Sequence, residues 1–131
     1  MGYFSIISET GFPHSACVFI IGNRPAEWRG FKPTISKTPY CRGYVDKSDR
    51  SDFIKNFVEF AIDDSVLENA LHEITTSYEN LDYRAVLGPD CINLSVDAAR
   101  YCGLQTPPPP NLLPDNLVEA LKRLNTGINT G

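Results

Sequence analysis

Residues 16–21, ACVFII, carry six apolar side chains in a row. A run with no polar position leaves no face for solvent, and its β-branched and aromatic content favours extended backbone. It therefore reads as a strand buried on both faces. Turn residues stand on either side of it, Gly11 and Pro13 before and Gly22-Asn23 after. Residues 27–33, EWRGFKP, then read as the returning strand of a hairpin, and residues 3–7, YFSII, as a further short strand. Residues 53–62, FIKNFVEFAI, fit a period of two and a helical period equally well, and their Phe, Val and Ile content tips them to strand. Residues 34–52 are polar and interrupted, a loop with room for one short strand.

Two helices are clearer. In residues 63–80, Val66, Leu67, Ala70, Leu71 and Ile74 form one apolar stripe behind the capping candidates Asp63, Asp64 and Ser65. His72 lies off that stripe and is expected on the exposed side. In residues 90–104, Asp90 is a natural N-cap and Gly103 a natural C′ residue, with Leu94, Ala98 and Cys102 repeating at four-residue intervals. The TPPPP run excludes helix and central strand and reads as a stiff spacer before a last short helix, for which Asp115 is the candidate cap. With 131 residues, 42% of them hydrophobic, the chain is expected to be a single domain over 1–131 with a frayed tail at 125–131. A net charge of −4 with interspersed signs argues against nucleic acid, and no apolar run is long enough to span a bilayer. The start MGYFSIISETG lacks the charged, long-apolar pattern of a secretory signal.

Four cysteines, Cys17, Cys41, Cys91 and Cys102, show no C-x-x-C spacing, and only His14 and His72 accompany them, so no metal or cofactor is expected. A Cys17–Cys41 disulfide is conceivable in an oxidising compartment. Cys102 reads as a core thiol. Cys91 follows Asp90 directly, which places it in the first turn of a helix. There the helix dipole favours a thiolate over the free thiol, whose pKa is ~8.5. His14 opens the buried strand beside a Gly/Pro turn and is the better placed base. The alternative is a core cysteine and a structural histidine.

These residues resemble a known family. DCINLSVDAARYCGLQTP is similar to the nucleophile helix of NlpC-type, papain-like cell-wall peptidases, with Tyr83, Gly88, Asp90, Cys91, Gly103, Leu104 and Pro107 at the matching positions. HSACVFIIGN is similar to that family's histidine strand, through His14, Val18, Phe19, Ile20, Gly22 and Asn23. The order is reversed, as in the circularly permuted branch, and the resemblance covers residues 12–33 and 81–107. Ile92 and Asn93 depart from the family's small residues after the cysteine.

The resemblance implies an α+β, papain-like core in which an antiparallel sheet packs against the helix bearing Cys91. It implies a cysteine amidase or endopeptidase with Cys91 as nucleophile, His14 as base, Glu27 as the carboxylate that orients the imidazole, and Tyr83 beside the substrate. Glu9 is the fallback for Glu27, and either glutamate could equally be a surface acid. The implied substrate is a peptidoglycan peptide. The implied setting is an antibacterial effector made in the cytoplasm, delivered by a type VI route into the periplasm of a target bacterium, and countered by an immunity protein. Other permuted members suggest a thioesterase, acyltransferase or isopeptidase, or an inert binding domain of the same fold.

Overall fold

The computed structural model describes the whole chain except residues 12–13, 36–39, 85–87, 109–111 and 127–131. The order of elements is β1 (Gly2–Glu9), β2 (Ser15–Ile20), β3 (Glu27–Pro33), β4 (Tyr40–Asp46), a 3-10 turn at Ser51–Phe53, β5 (Ile54–Ile62), α1 (Asp64–Tyr78), β6 (Asp82–Arg84), α2 (Cys91–Tyr101) and α3 (Pro114–Leu124). The fold is α+β. Its strands form one six-stranded sheet in the order β5-β1-β2-β3-β4-β6, with every pairing antiparallel.

Burial of β2 on both faces is what holds the layers together. Its Cys17 and Phe19 join Phe4, Ile6, Phe31, Val58 and Phe60 in the main core, where the apolar stripes of all three helices pack. Its Ala16 and Val18 point the other way and meet Ile7 and Trp28 in a smaller cluster. Alternating side chains of one strand thus serve two apolar layers, as the unbroken run requires.

The ambiguous residues 53–62 are a strand for nearly their whole length, β5. The polar segment after β3 yields a seven-residue strand, β4, longer than expected, and β6 was not foreseen. In α1 the stripe faces the core through Leu67, Ala70 and Ile74, and His72 is exposed. Asp115 does not cap α3: Leu113 holds that position, Pro114 opens the helix, and Asp115 bonds Lys55 and Ser8 of the sheet. Proline there loses nothing, because the first-turn N–H it lacks has no helical partner. Asn125, where a frayed tail was expected to start, is buried and exchanges hydrogen bonds with the Gln105 backbone. Residues 127–131 lie outside the described residues.

Gly43 of β4 lies against the ring of Phe31, which is wedged between Tyr78 and Tyr83. A β-carbon there would run into that ring and stand 2.9 Å from the Leu81 carbonyl oxygen. Gly43→Ala is expected to lower stability by ~1–3 kcal/mol through overpacking, read as a drop in the urea midpoint at constant slope.

Candidate active site

The start of α2 is tied down by Asp90 and Asn93. The Asp90 carboxylate accepts from the Ile92 and Asn93 amides at 2.9 and 3.2 Å, and the Asn93 side chain accepts from the Asp90 amide at 3.0 Å. This reciprocal box is worth about 1 kcal/mol and holds the first-turn amides in place. It also gives Asn93 a purpose where a small residue was expected. Cys91 is the first helical residue, as its place after Asp90 implied.

The sulfur of Cys91 lies at a break in the sheet. The β2–β3 ladder runs from Phe19–Glu27 to Cys17–Arg29 and stops, and from Gly30 onward β3 pairs with β4. The His14 carbonyl takes the Glu9 amide from β1, so the next amide, that of Ser15, points to the side β3 has left. That N–H is near enough to favour the charged form of the Cys91 sulfur, and Cys91 is near enough to Tyr83 to raise its phenol. The Ser15 hydroxyl meets Ser95 of α2 at 2.8 Å and fixes the helix against the strand.

These donors do not prevail over burial. Cys91 is 5% exposed, and desolvation pushes its thiol up to about 12, with the Asp90 and Glu9 carboxylates adding to the rise. The Ser15 and Cys91 amides pull the other way by less. The resting sulfur is therefore a thiol, not the thiolate that a helix N-terminus alone would favour. Burial likewise drives the Tyr83 phenol well above its usual range, with the neighbouring Cys91 and Asp90 reinforcing it.

His14 is buried, and its ring lies on the opposite side of β2 from the Ser15 hydroxyl. A β-carbon at Gly30 would stand 3.2 Å from its Nε2 and 3.6 Å from Ala16, so a glycine is what leaves room for the imidazole. Nε2 is 3.7 Å from Glu9 Oε2, and both atoms are buried without a hydrogen-bond partner. Glu9 Oε1 takes two bonds from Arg50, at 3.0 and 2.9 Å, which leaves Oε2 facing the ring. Burial, then the positive charge of Lys32, brings the His14 pKa down to about 3; Asp46 opposes the shift and Arg50 adds to it. The imidazole is neutral at neutral pH.

Glu27 does not reach this site. It stands opposite Phe19, five residues along β2 from His14, roughly 16 Å at strand spacing. Its carboxylate is exposed and pairs with Arg29 at 3.2 Å. The two-strand hairpin register, which a count of loop residues could not fix, puts it at the wrong end, and Glu9 is the carboxylate beside the histidine. The four cysteines are free thiols; Cys17 is sealed in the core, near enough to Cys102 to feel its charge, so the conceivable Cys17–Cys41 bridge is absent. Among the described residues there is no cluster of metal-ligating side chains and no helix long and apolar enough to cross a membrane.

A cleft of about 440 Å³ opens over this region, lined by Glu9, His14, Lys32, Arg50 and Tyr83 among others. Cys91 does not line this cleft, whereas Tyr83, whose phenol it raises, does. Sequence reasoning missed Lys32, Arg50 and Gly30. Only Gly30 carried a signal, since a lone glycine in a strand pattern marks a close approach. No family model, curated protein or solved structure matches the chain.

Two measurements check this description. Iodoacetamide should label Cys91 more slowly than the partly exposed Cys41 at pH 7, and the Cys91 rate should climb about tenfold per pH unit without a plateau below pH 10. Faster labelling of Cys91 at pH 7 would contradict the buried thiol. His14 also makes stability depend on pH. Its folded pKa lies below the unfolded 6.5, so the unfolded chain binds the proton first, and stability present above pH 6.5 is lost as pH falls toward 3. Urea midpoints at pH 7 and 4.5 should differ less in His14→Asn than in the parent.

Proposed function

We propose that the chain is a cysteine amidase of papain-like architecture. The observation that carries the reading is that Cys91, at a capped helix start, feels the Ser15 amide and the charge of Glu9, the same buried carboxylate that faces the ring of His14. Glu9 on Nε2 leaves Nδ1 as the nitrogen for the sulfur and would stabilise the ring once it is charged.

The reaction starts from neutral thiol and neutral imidazole. Substrate entering the cleft displaces the Tyr83 hydroxyl from the sulfur. His14 takes the thiol proton as the sulfur bonds to the amide carbonyl carbon, and the oxyanion forms near the Cys91 amide. The C–N bond then breaks, and the amine leaves with the proton from His14. Water, deprotonated by His14, attacks the thioester, releasing a carboxylic acid and restoring the thiol. With His14 lowered to about 3 and Cys91 raised to about 12, proton transfer is uphill in the resting site, so this order requires that bound substrate bring the two values together. By resemblance to the permuted NlpC-type peptidases, the amide belongs to a peptidoglycan peptide. The same resemblance suggests action in the periplasm of a target bacterium and an immunity protein seated over the cleft.

Digestion of purified peptidoglycan with mass analysis of the fragments tests this reading. New amine and carboxyl ends are expected, lost in Cys91→Ala and reduced about 10²–10⁴-fold in His14→Ala. Glu9→Gln should lower kcat more than it raises KM, whereas Glu27→Gln should change neither. Directed to the periplasm, the protein should lyse cells, and Cys91→Ala should not.

The closed, protonated Cys91 favours a second reading, a binding domain of the same fold that performs no reaction. Under that reading sacculi remain intact, and Cys91→Ser and His14→Ala affect only stability.

A further inference from the structure

The outer face of β4 carries an exposed row of rings and cations. Side chains alternate along this strand. Gly43 and Val45 turn toward the main core, and Tyr40, Arg42 and Tyr44 turn away from it. Cross-strand pairing sets Lys32 beside Tyr44 and Arg84 beside Tyr40. Tyr40 is 58% exposed and Tyr44 42%, so both rings are open to a ligand. Lys32 and Tyr44 also line the cleft over His14. The row therefore leads out of that cleft for ~13 Å, the rise of the strand from Tyr44 to Tyr40.

Two charges of the row have no counter-ion. Lys32 is held by Asp46 at 2.7 Å. Arg42 donates to the neutral Asn80 side chain at 3.1 Å, and Arg84 lies over the Tyr40 ring at 4.7 Å. Among the described residues neither arginine forms an ion pair, although Asp82 stands opposite Arg42 on the ladder. A guanidinium stacked on a ring keeps the N–H groups of its edge available to an acceptor. Arg42 and Arg84 are diagonal neighbours across β4 and β6, a spacing of ~7–8 Å. Residues two apart in an extended peptide are ~7 Å apart with side chains on one face, so an acid-x-acid segment matches the pair. A nucleic acid fits less well, because its evenly spaced phosphates would meet Asp82 and Asp46 on the same face. We infer that this row binds an extended acidic peptide, with carboxylates two residues apart on Arg42 and Arg84 and its chain continuing into the cleft. Such binding requires no reaction at Cys91.

Amide chemical-shift titration with a capped peptide containing Glu-Val-Glu, at low ionic strength, tests this. Saturable shifts in β4, β6 and the cleft are expected, with the Gln-Val-Gln counterpart at least about tenfold weaker. Arg42→Gln with Arg84→Gln should weaken the Glu peptide by at least about tenfold. Arg100→Gln with Arg123→Gln removes the same charge from α2 and α3 and should leave the affinity unchanged. The spectra themselves confirm that both variants are folded. Equal binding of the two peptides overturns the inference, as does the absence of a saturable shift at millimolar peptide. So does an affinity that survives loss of Arg42 and Arg84, or one that falls as far in the Arg100 and Arg123 variant. A thymidine oligonucleotide that binds the same residues more tightly than the peptide also overturns it.

Discussion

Everything at the site depends on β3 changing partners at Gly30. An antiparallel strand with a neighbour on each side has every amide committed to a ladder. Where β3 leaves β2, one amide, that of Ser15, is released within a buried region, and a buried donor needs an acceptor. The sulfur at the start of α2 lies near enough to feel that amide. The same departure lets the imidazole of His14 lie over a glycine instead of a side chain. One change of strand pairing therefore creates both the sulfur's seat and the histidine's.

The site's electrostatics follow from its depth. A helix N-terminus and a nearby backbone amide would ordinarily favour a thiolate. Here the cost of burying charge exceeds both, so sulfur and imidazole rest in their neutral forms. The carboxylate of Glu9 is tolerated because Arg50 clamps one of its oxygens, at the price of an Arg–Glu pair brought under the surface. The other oxygen and the histidine nitrogen remain unbonded 3.7 Å apart, an arrangement that costs free energy unless one of them gains a proton or a partner in use. A charged imidazole is the partner that would satisfy both.

Local features were legible wherever neighbouring residues decide the outcome. The unbroken run at 16–21 read as a doubly buried strand, and β2 covers it as far as Ile20. Asp90 before Cys91 could only cap a helix, and Gly103 adopts the positive φ that ends it. The strand at 27–33 was legible for the same reason. Failures occurred where distant groups decide. The length of β4 comes from pairing with β3 on one side and β6 on the other, and no property of residues 40–46 announces it. Asp115 looks like a cap in isolation, but Lys55 and Ser8 draw it to the sheet. Glu27 and Glu9 are indistinguishable as types, and only strand register separates the one beside His14 from the one about five residues away.

By itself the sequence determined the class of the fold, the order of most elements, and the placement of Cys91 at a helix start and His14 at a strand start. These follow from periodicity, capping and turn chemistry, which act over a few residues. Tertiary structure alone decided that Cys91 lies near the Ser15 amide, that Glu9, held by Arg50, faces His14, and that burial favours the protonated thiol. Those properties depend on which strands pair and how deeply a group is buried, and both are set by contacts between residues far apart in the chain.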